Sequence, residues 1–287
     1  KTLWQDYRRV VAKEKGYFEA ENLDVSILQP GEGENNQIVA AGKADFGISS
    51  QESVIQARVA GIPLVSIAAI IQHNTSAFAS LEKSNIRSVK DFENMRYGGW
   101  GSPIEETVIK AVMNDARADY SKIQNITIGE TDFFKTIGRD SDFQWIFYGW
   151  DGIEARRRGI KLNTIMLKDL NPILDYYTPV IVTNEDHVKN KKELVTKFMR
   201  AVTQGYEFSI KNPDQSAKIL IKSAPELNAE LVKQSQTYLS RQYQSEAEKW
   251  GTQKEVVWKR YAQWMSDQKL IKKMINVKDA FTNEFIR

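Results

Sequence analysis

The sequence predicts an α/β fold, on three observations. Short β-rich runs alternate with helical runs as far as Thr183, the order expected when covering helices join the strands of a sheet. Lone glycines (Gly16, Gly42, Gly61, Gly159) follow several helical runs, where a left-handed residue ends a helix. From Asn184 onward the pattern changes to apolar residues three and four apart, which predicts a helical C-terminal part.

In chain order the predicted strands are Leu23–Leu28, Asp45–Ser49, Leu64–Ile71, Ala77–Leu81, Tyr97–Gly99, Ile123–Ile128, Phe143–Phe147, Asn163–Leu167 and Thr178–Thr183. Most are short runs rich in apolar, aromatic or β-branched residues, of the length strands prefer. Between them, helices are predicted over Arg9–Lys15, Asn35–Ala41, Glu52–Ala60, Ile104–Asn114 and Gly152–Arg158. The fourth has the clearest start: Ser102 as N-cap, Pro103 at the first helical position and Glu105 closing a capping box. The C-terminal helices are Lys191–Asn212, Pro213–Ser223, Glu226–Leu239 and Lys254–Leu270, punctuated by Pro213 and Pro225. Trp250, Trp258, Tyr261 and Trp264 recur at helical spacing and read as a packing stripe rather than a cofactor box.

Composition narrows the function before any motif is read. The chain has 287 residues, 40 Lys and Arg against 37 Asp and Glu, no cysteine and two histidines, His73 and His187. Without cysteine there are no disulfides, thiolate metal sites or cysteine nucleophiles. Neither histidine accompanies a GxSxG elbow, and two histidines make a poor structural zinc set. A net charge of +3, with both signs mixed along the chain, argues against a nucleic-acid groove. The short run Glu154-Ala155-Arg156-Arg157-Arg158 reads as a solvated helix face. No apolar run reaches the roughly 18 residues of a membrane span. Catalysis and metal binding are thus disfavoured; ligand binding is not.

Ligands of open α/β sheets bind where strand ends lead into helices, and three such junctions stand out. Phe46-Gly47-Ile48-Ser49-Ser50-Gln51-Glu52 places serines at a helix start, where they cap it and could also hold a polar ligand. Tyr97-Gly98-Gly99-Trp100-Gly101-Ser102 frees the backbone to approach something and leaves one tryptophan among glycines, without the spacing of a nucleotide loop. Phe147-Tyr148-Gly149-Trp150-Asp151-Gly152 is either a tight turn with packing aromatics or a flat slot with an acid at its edge. Trp100, Tyr148 and Trp150 could stack on a planar ring, and the Asp151 carboxylate could accept from an amino group. That pairing suits an aminopyrimidine or a similar nitrogen heterocycle.

At these residues the chain resembles the pyrimidine-binding proteins of bacterial thiamine-precursor importers, in particular the formylaminopyrimidine-binding type. The wider group contains the alkanesulfonate- and nitrate-type solute-binding proteins. The stretches that carry the resemblance are VAKEKGYFEAENLDV (Val11–Val25), ADFGISSQESV (Ala44–Val54), YGGWGSPIEE (Tyr97–Glu106), FYGWDGIEA (Phe147–Ala155), LDYYTPVIVTN (Leu174–Asn184), QGYEFSIKNP (Gln204–Pro213) and AFTNEF (Ala280–Phe285). YGGWGSP with YGWDGIEA is the specific part; VAKEKGYF and ADFGISS mark the broad superfamily.

The resemblance implies a two-lobed periplasmic-binding-protein fold of type II with two hinge strands and ligand in the cleft. Lobe one would be residues 1–76 plus 179–287, and lobe two residues 77–178. It implies a ligand-binding set of Asp151, Trp150, Tyr148, Trp100, Gly101, Ser102, Glu105, Ser50, Gln51, Tyr177 and Trp4, with no catalytic residue, metal or cofactor. The expected partners are a small pyrimidine and an ABC permease in the membrane, with no nucleic acid, the protein itself being a monomer. The expected location is extracytoplasmic, periplasmic or on the cell surface as a lipoprotein, with the export segment not part of this chain. Two departures from the family pattern are visible. Asp151 stands where glutamate is more familiar, and the stretch before Val11 is shorter than in the family, leaving Trp4 as the counterpart of a strand-end tryptophan. The alternatives are the same fold binding an alkanesulfonate or similar solute, or a pyrimidine synthase-like enzyme. The synthase family pattern has a cysteine-rich motif, a pyridoxal-bearing lysine and an N-terminal histidine; this chain offers no cysteine and no histidine before His73.

Overall fold

The computed structural model describes residues 8–28, 35–129 and 131–286. Eight strands occur among them: β1 (Gly47–Ser49), β2 (Leu64–Ala69), β3 (Ser76–Leu81), β4 (Arg96–Gly99), β5 (Gln124–Thr127), β6 (Phe143–Phe147), β7 (Leu162–Met166) and β8 (Val180–Asn184). The chain divides into two compact units, one of residues 8–73 with 176–286 and one of Asn74–Asp175.

The first unit holds a three-stranded sheet in the order β1-β8-β2, with both neighbours antiparallel to β8. Every residue of β2 and β8 is buried, as expected of strands covered on both faces. Lys192–Lys211 supplies cover, its Val195, Phe198, Met199 and Val202 sharing one buried cluster with Val65, Ile67 and Ile181, and Pro213–Ser223, Ala229–Ser240 and Glu255–Asp267 follow toward the C-terminus. Lys192–Lys211 passes close to Arg8–Glu14 at Gly205, where an added Cβ would stand 2.9 Å from the Cβ of Ala12. The aromatic stripe is indeed packing: Trp250, Trp258, Tyr261 and Trp264 are all buried. Trp250 stacks on Tyr206 with centroids 4.0 Å apart, and its indole N–H donates to the Ile70 carbonyl at 3.2 Å.

The second unit is built on a five-stranded sheet in the order β5-β4-β6-β3-β7. Strand β4 runs parallel to β5 and β6, and β3 runs antiparallel to β6 and β7. Side-chain alternation sends Phe78, Phe143 and Trp145 to an aromatic cluster with Phe92 and Tyr97. Ala77, Ala79 and Ile146 join Phe133 and Ile137 in a separate apolar cluster. The parallel pair β4–β6 positions the candidate site, because both strands end at the same edge.

Element boundaries agree with the sequence reading within a few residues, and Gly16, Gly42, Gly61 and Gly159 take positive φ as their helix-ending role requires. One element differs. Leu23–Leu28, expected as a strand, has no strand pairing. Its alternation is real, since Leu23 and Val25 pack on the core, but its backbone forms no ladder, and the Val25 carbonyl accepts from Lys13 Nζ at 2.8 Å. The run Glu154–Arg158 is also less solvated than expected: Glu154 is buried and takes bonds from Arg157 and Arg158.

Because the helices meet at Gly205 with no room for a side chain, Gly205→Val is expected to lower stability by about 1–3 kcal/mol. Urea denaturation should show a lower midpoint with an unchanged slope.

Candidate functional site

In the second unit, β4 ends at Gly99 and the chain turns through Trp100 and Gly101 into the helix Pro103–Asp115. Ser102 caps this helix and Pro103 occupies its first turn, as the sequence indicates. The turn is organised by one buried acid. Glu105, only 2% exposed, accepts from the Tyr97 hydroxyl at 2.6 Å and from the backbone N–H groups of Trp100, Gly101 and Ser102 at 3.1, 2.9 and 2.8 Å. The glycines therefore approach Glu105: an added Cβ at Gly99 would stand 2.6 Å from Glu105 Oε1, and Gly101 has φ of +96°. Burial, reinforced by the neighbouring Glu105, holds the Tyr97 hydroxyl protonated well above its ordinary range. Glu105 faces inward onto the turn, and Trp100 is left facing outward, 38% exposed.

Strand β6 ends at Phe147, beside β4, and the chain continues as a π-helical turn over Tyr148–Gly152 before the helix Ile153–Arg157. Such turns carry one residue more per hydrogen-bonded loop than an α-turn and recur at functional sites. Gly152 has ordinary helical angles, so the reason for glycine here is space. A Cβ would lie 2.4 Å from Tyr148 Cδ2, which means the Tyr148 ring lies directly against Gly152. Tyr148, Trp150 and Asp151 are each partly buried. Since β4 and β6 are parallel neighbours, the Trp100 turn and the Tyr148–Gly152 turn leave the same edge of the sheet. Trp145, inside β6, links them: its ring meets Trp100 edge to face with centroids 5.6 Å apart.

Ser50, Gln51 and Tyr177 belong to the first unit. Ser50 caps the helix Gln51–Val59, its hydroxyl accepting from the Ser53 N–H at 3.3 Å. Gln51 is fully buried and joined to Tyr177 by two hydrogen bonds, its own N–H to the Tyr177 carbonyl and the Tyr177 N–H to its side-chain Oε1, both 2.9 Å. Its Nε2 donates to the Val257 carbonyl at 3.2 Å. The Tyr177 hydroxyl accepts from the Lys254 N–H at 3.0 Å. These groups tie the helix to the chain around it. Trp4 lies outside the described residues.

The same junction contains an acid that no motif marks. Glu52 receives a hydrogen bond from the Tyr261 hydroxyl at 3.3 Å and interacts with Tyr176 and Ser50. Burial pushes its carboxyl above the ordinary value of 4.5, and these hydrogen bonds only partly offset that. Tyr176 and Tyr261 stack at 4.2 Å and are held protonated by burial. The only sequence signal is an acid in the first turn of a helix, which is common. Among the described residues, no group of three His, Cys, Asp or Glu side chains could hold a metal ion, and no helix is long and apolar enough to cross a membrane.

Comparison with known proteins supplies the class first. The alkanesulfonate-binding protein SsuA of Xanthomonas axonopodis pv. citri, solved with MOPS, superposes with a TM-score of 0.71 at 14% identity, covering 96% of this chain and 94% of that one. The fold is accordingly of the periplasmic-binding-protein kind. Residues 8–216 match the family described as NMT1/THI5 like, and the chain belongs to that family. Its relatives include a formylaminopyrimidine-binding protein of Halalkalibacterium halodurans, 26% identical over 95% of this chain and 84% of that protein. They also include the riboflavin-binding protein RibY of Chloroflexus aurantiacus, 25% identical over 96% and 81% of the two chains. A 4-amino-5-hydroxymethyl-2-methylpyrimidine phosphate synthase of Saccharomyces cerevisiae is 23% identical over 77% of this chain and 68% of its own.

The two buried acids are distinguished by two variants. Glu105→Ala leaves three backbone N–H groups and a buried tyrosine hydroxyl without their acceptor. It is expected to lower stability by roughly 2–4 kcal/mol, read by chemical denaturation. Glu52 is read through the pH dependence of stability. Its folded carboxyl titrates above 4.5, so below that value both folded and unfolded forms are protonated and nothing is lost. As pH rises from there to the raised folded value, the unfolded chain gives up its proton first and stability falls, staying reduced above. Glu52→Gln should therefore flatten the pH dependence of the melting temperature and gain on the wild type between pH 4 and pH 8.

Proposed function

We propose that this chain is an extracytoplasmic solute-binding protein, not an enzyme, which captures an amino-bearing pyrimidine of the thiamine-precursor class and delivers it to an ABC permease. Formylaminopyrimidine and hydroxymethylpyrimidine are the ligands meant. The observation that carries this reading is the π turn after β6, which sets Tyr148, Trp150 and Asp151 in succession, partly buried, at the sheet edge where Trp100 also emerges. Aromatic faces suit a planar ring, and a carboxylate suits its exocyclic amino group. The formylaminopyrimidine-binding relative supports the same ligand class. In this reading the protein acts as a monomer, periplasmic or lipid-anchored at the cell surface.

The synthase reading lacks its chemistry in this chain. Cysteine is absent. His73 is paired with Glu246 at 2.8 Å, and His187 is buried between Asn184 and Asp45 at 2.6 and 2.8 Å. A sulfonate or other anion is also poorly served. The Gln51–Val59 and Pro103–Asp115 helices each carry acid in the first turn, and at the second, Glu105 already takes the N–H groups an anion would use.

Titration with formylaminopyrimidine or hydroxymethylpyrimidine is expected to quench tryptophan fluorescence and raise the melting temperature. A response to methanesulfonate with none to either pyrimidine would reverse the assignment. Asp151→Ala should weaken pyrimidine binding by about 1.5–3 kcal/mol, the worth of a charge-assisted hydrogen bond, measured by calorimetry. An unchanged Kd would remove Asp151 from the site.

A further inference from the structure

Trp145 lies in the middle of β6 and is 8% exposed. Its ring meets Phe78 on the neighbouring strand at 5.6 Å and Trp100 at 5.6 Å, both edge to face. Its indole N–H is buried and has no hydrogen-bond partner within the protein, and it is the one such side-chain atom among the described residues of Asn74–Asp175. Trp250 shows the contrasting case, its indole N–H donating to the Ile70 carbonyl. A buried donor left unpaired costs stability, so native structures seldom keep one unless something else completes it. Its ring is in contact with Trp100, the outward-facing ring of the site, and it stands three residues before Tyr148.

We propose that the Trp145 indole N–H is a ligand-recognition donor, paired on binding with an acceptor nitrogen of the pyrimidine ring. The inference rests on the pyrimidine reading above and deepens it. An aminopyrimidine presents both kinds of hydrogen-bonding group: the exocyclic amino group donates, and the ring nitrogens accept. Asp151 can read only the first, because a carboxylate offers acceptors alone. Trp145 supplies the complementary donor, and an indole N–H can do nothing but donate. A ring of the same shape without nitrogens would stack equally well on Trp100 and Tyr148 and would leave the donor unpaired. Discrimination then comes from the hydrogen bond that only a ring bearing an acceptor nitrogen can complete. The Trp145 ring touches that of Trp100, so the ring that stacks and the group that selects are adjacent.

The test compares the full chain with Trp145→Phe, using hydroxymethylpyrimidine and its benzene analogue, which keeps the amino, methyl and hydroxymethyl groups but has no ring nitrogen. Calorimetry should show Trp145→Phe weakening the pyrimidine by about 3-fold to 10-fold, the range of one neutral hydrogen bond, with the benzene analogue unchanged. Equal weakening of both ligands would show that only ring packing was lost, and no change in either would show that the donor is not used. Each of these overturns the inference while leaving the pyrimidine reading intact. Failure of the wild type to bind any aminopyrimidine overturns both. Should Trp145→Phe not fold, the wild type answers by nuclear magnetic resonance of its seven indole N–H groups. One buried indole proton, assigned to Trp145, is expected to move downfield and exchange more slowly with hydroxymethylpyrimidine but not with the benzene analogue. An unmoved signal overturns the proposal.

Discussion

The second unit's site depends on the buried carboxylate of Glu105. A strand that ends in Gly-Gly and turns within three residues into a helix leaves several N–H groups pointing the same way, and without an acceptor they would have to face water. Glu105 gathers three of them together with the Tyr97 hydroxyl. That arrangement fixes the angle between β4 and the helix Pro103–Asp115, and with it the position of Trp100. Gly99 belongs to the same constraint, since it has no space for a side chain beside the carboxylate. Rigid backbone and outward aromatic are two results of one interaction.

The first unit uses the same device with a different balance. Its helix start at Gln51–Val59 is tied down by hydrogen bonds between Gln51 and Tyr177, and the neighbouring acid, Glu52, has hydroxyl donors rather than backbone N–H groups. For Glu52 burial outweighs these hydroxyl hydrogen bonds and favours the neutral form. One junction is held by an acid that gathers three backbone N–H groups, and the other keeps an acid that burial disfavours in its charged form.

Much of this is legible in the sequence because it is local. Helix starts at Ser50 and Ser102, the strand Phe143–Phe147 and the glycine helix ends are all encoded within a few neighbouring residues. The capping role of Glu105 is legible too, yet its reach back to Trp100 and Tyr97 is not, and so in the sequence the glycines around Trp100 look as if they await a ligand. Gln51 and Tyr177 bond across more than a hundred residues of sequence, and no pattern announces such a pair. Trp145 is hidden differently: inside a strand an apolar residue is expected, and nothing in the letters says whether its N–H is satisfied. Leu23–Leu28 shows the converse, alternation that reports burial of one side without specifying a partner strand.

The π turn at Tyr148–Gly152 has a consequence for how this site can vary. Successive residues of a helix point about 100° apart, so the direction of Asp151 is set by the number of residues between β6 and Ile153 as much as by their identity. Substitutions along the turn change what is offered to solvent while leaving the geometry in place. Removing a single residue would restore an ordinary α-turn, swing every following side chain to a new bearing and lift Tyr148 off Gly152. Divergence of this site is thereby channelled into exchange of side chains, with length held constant.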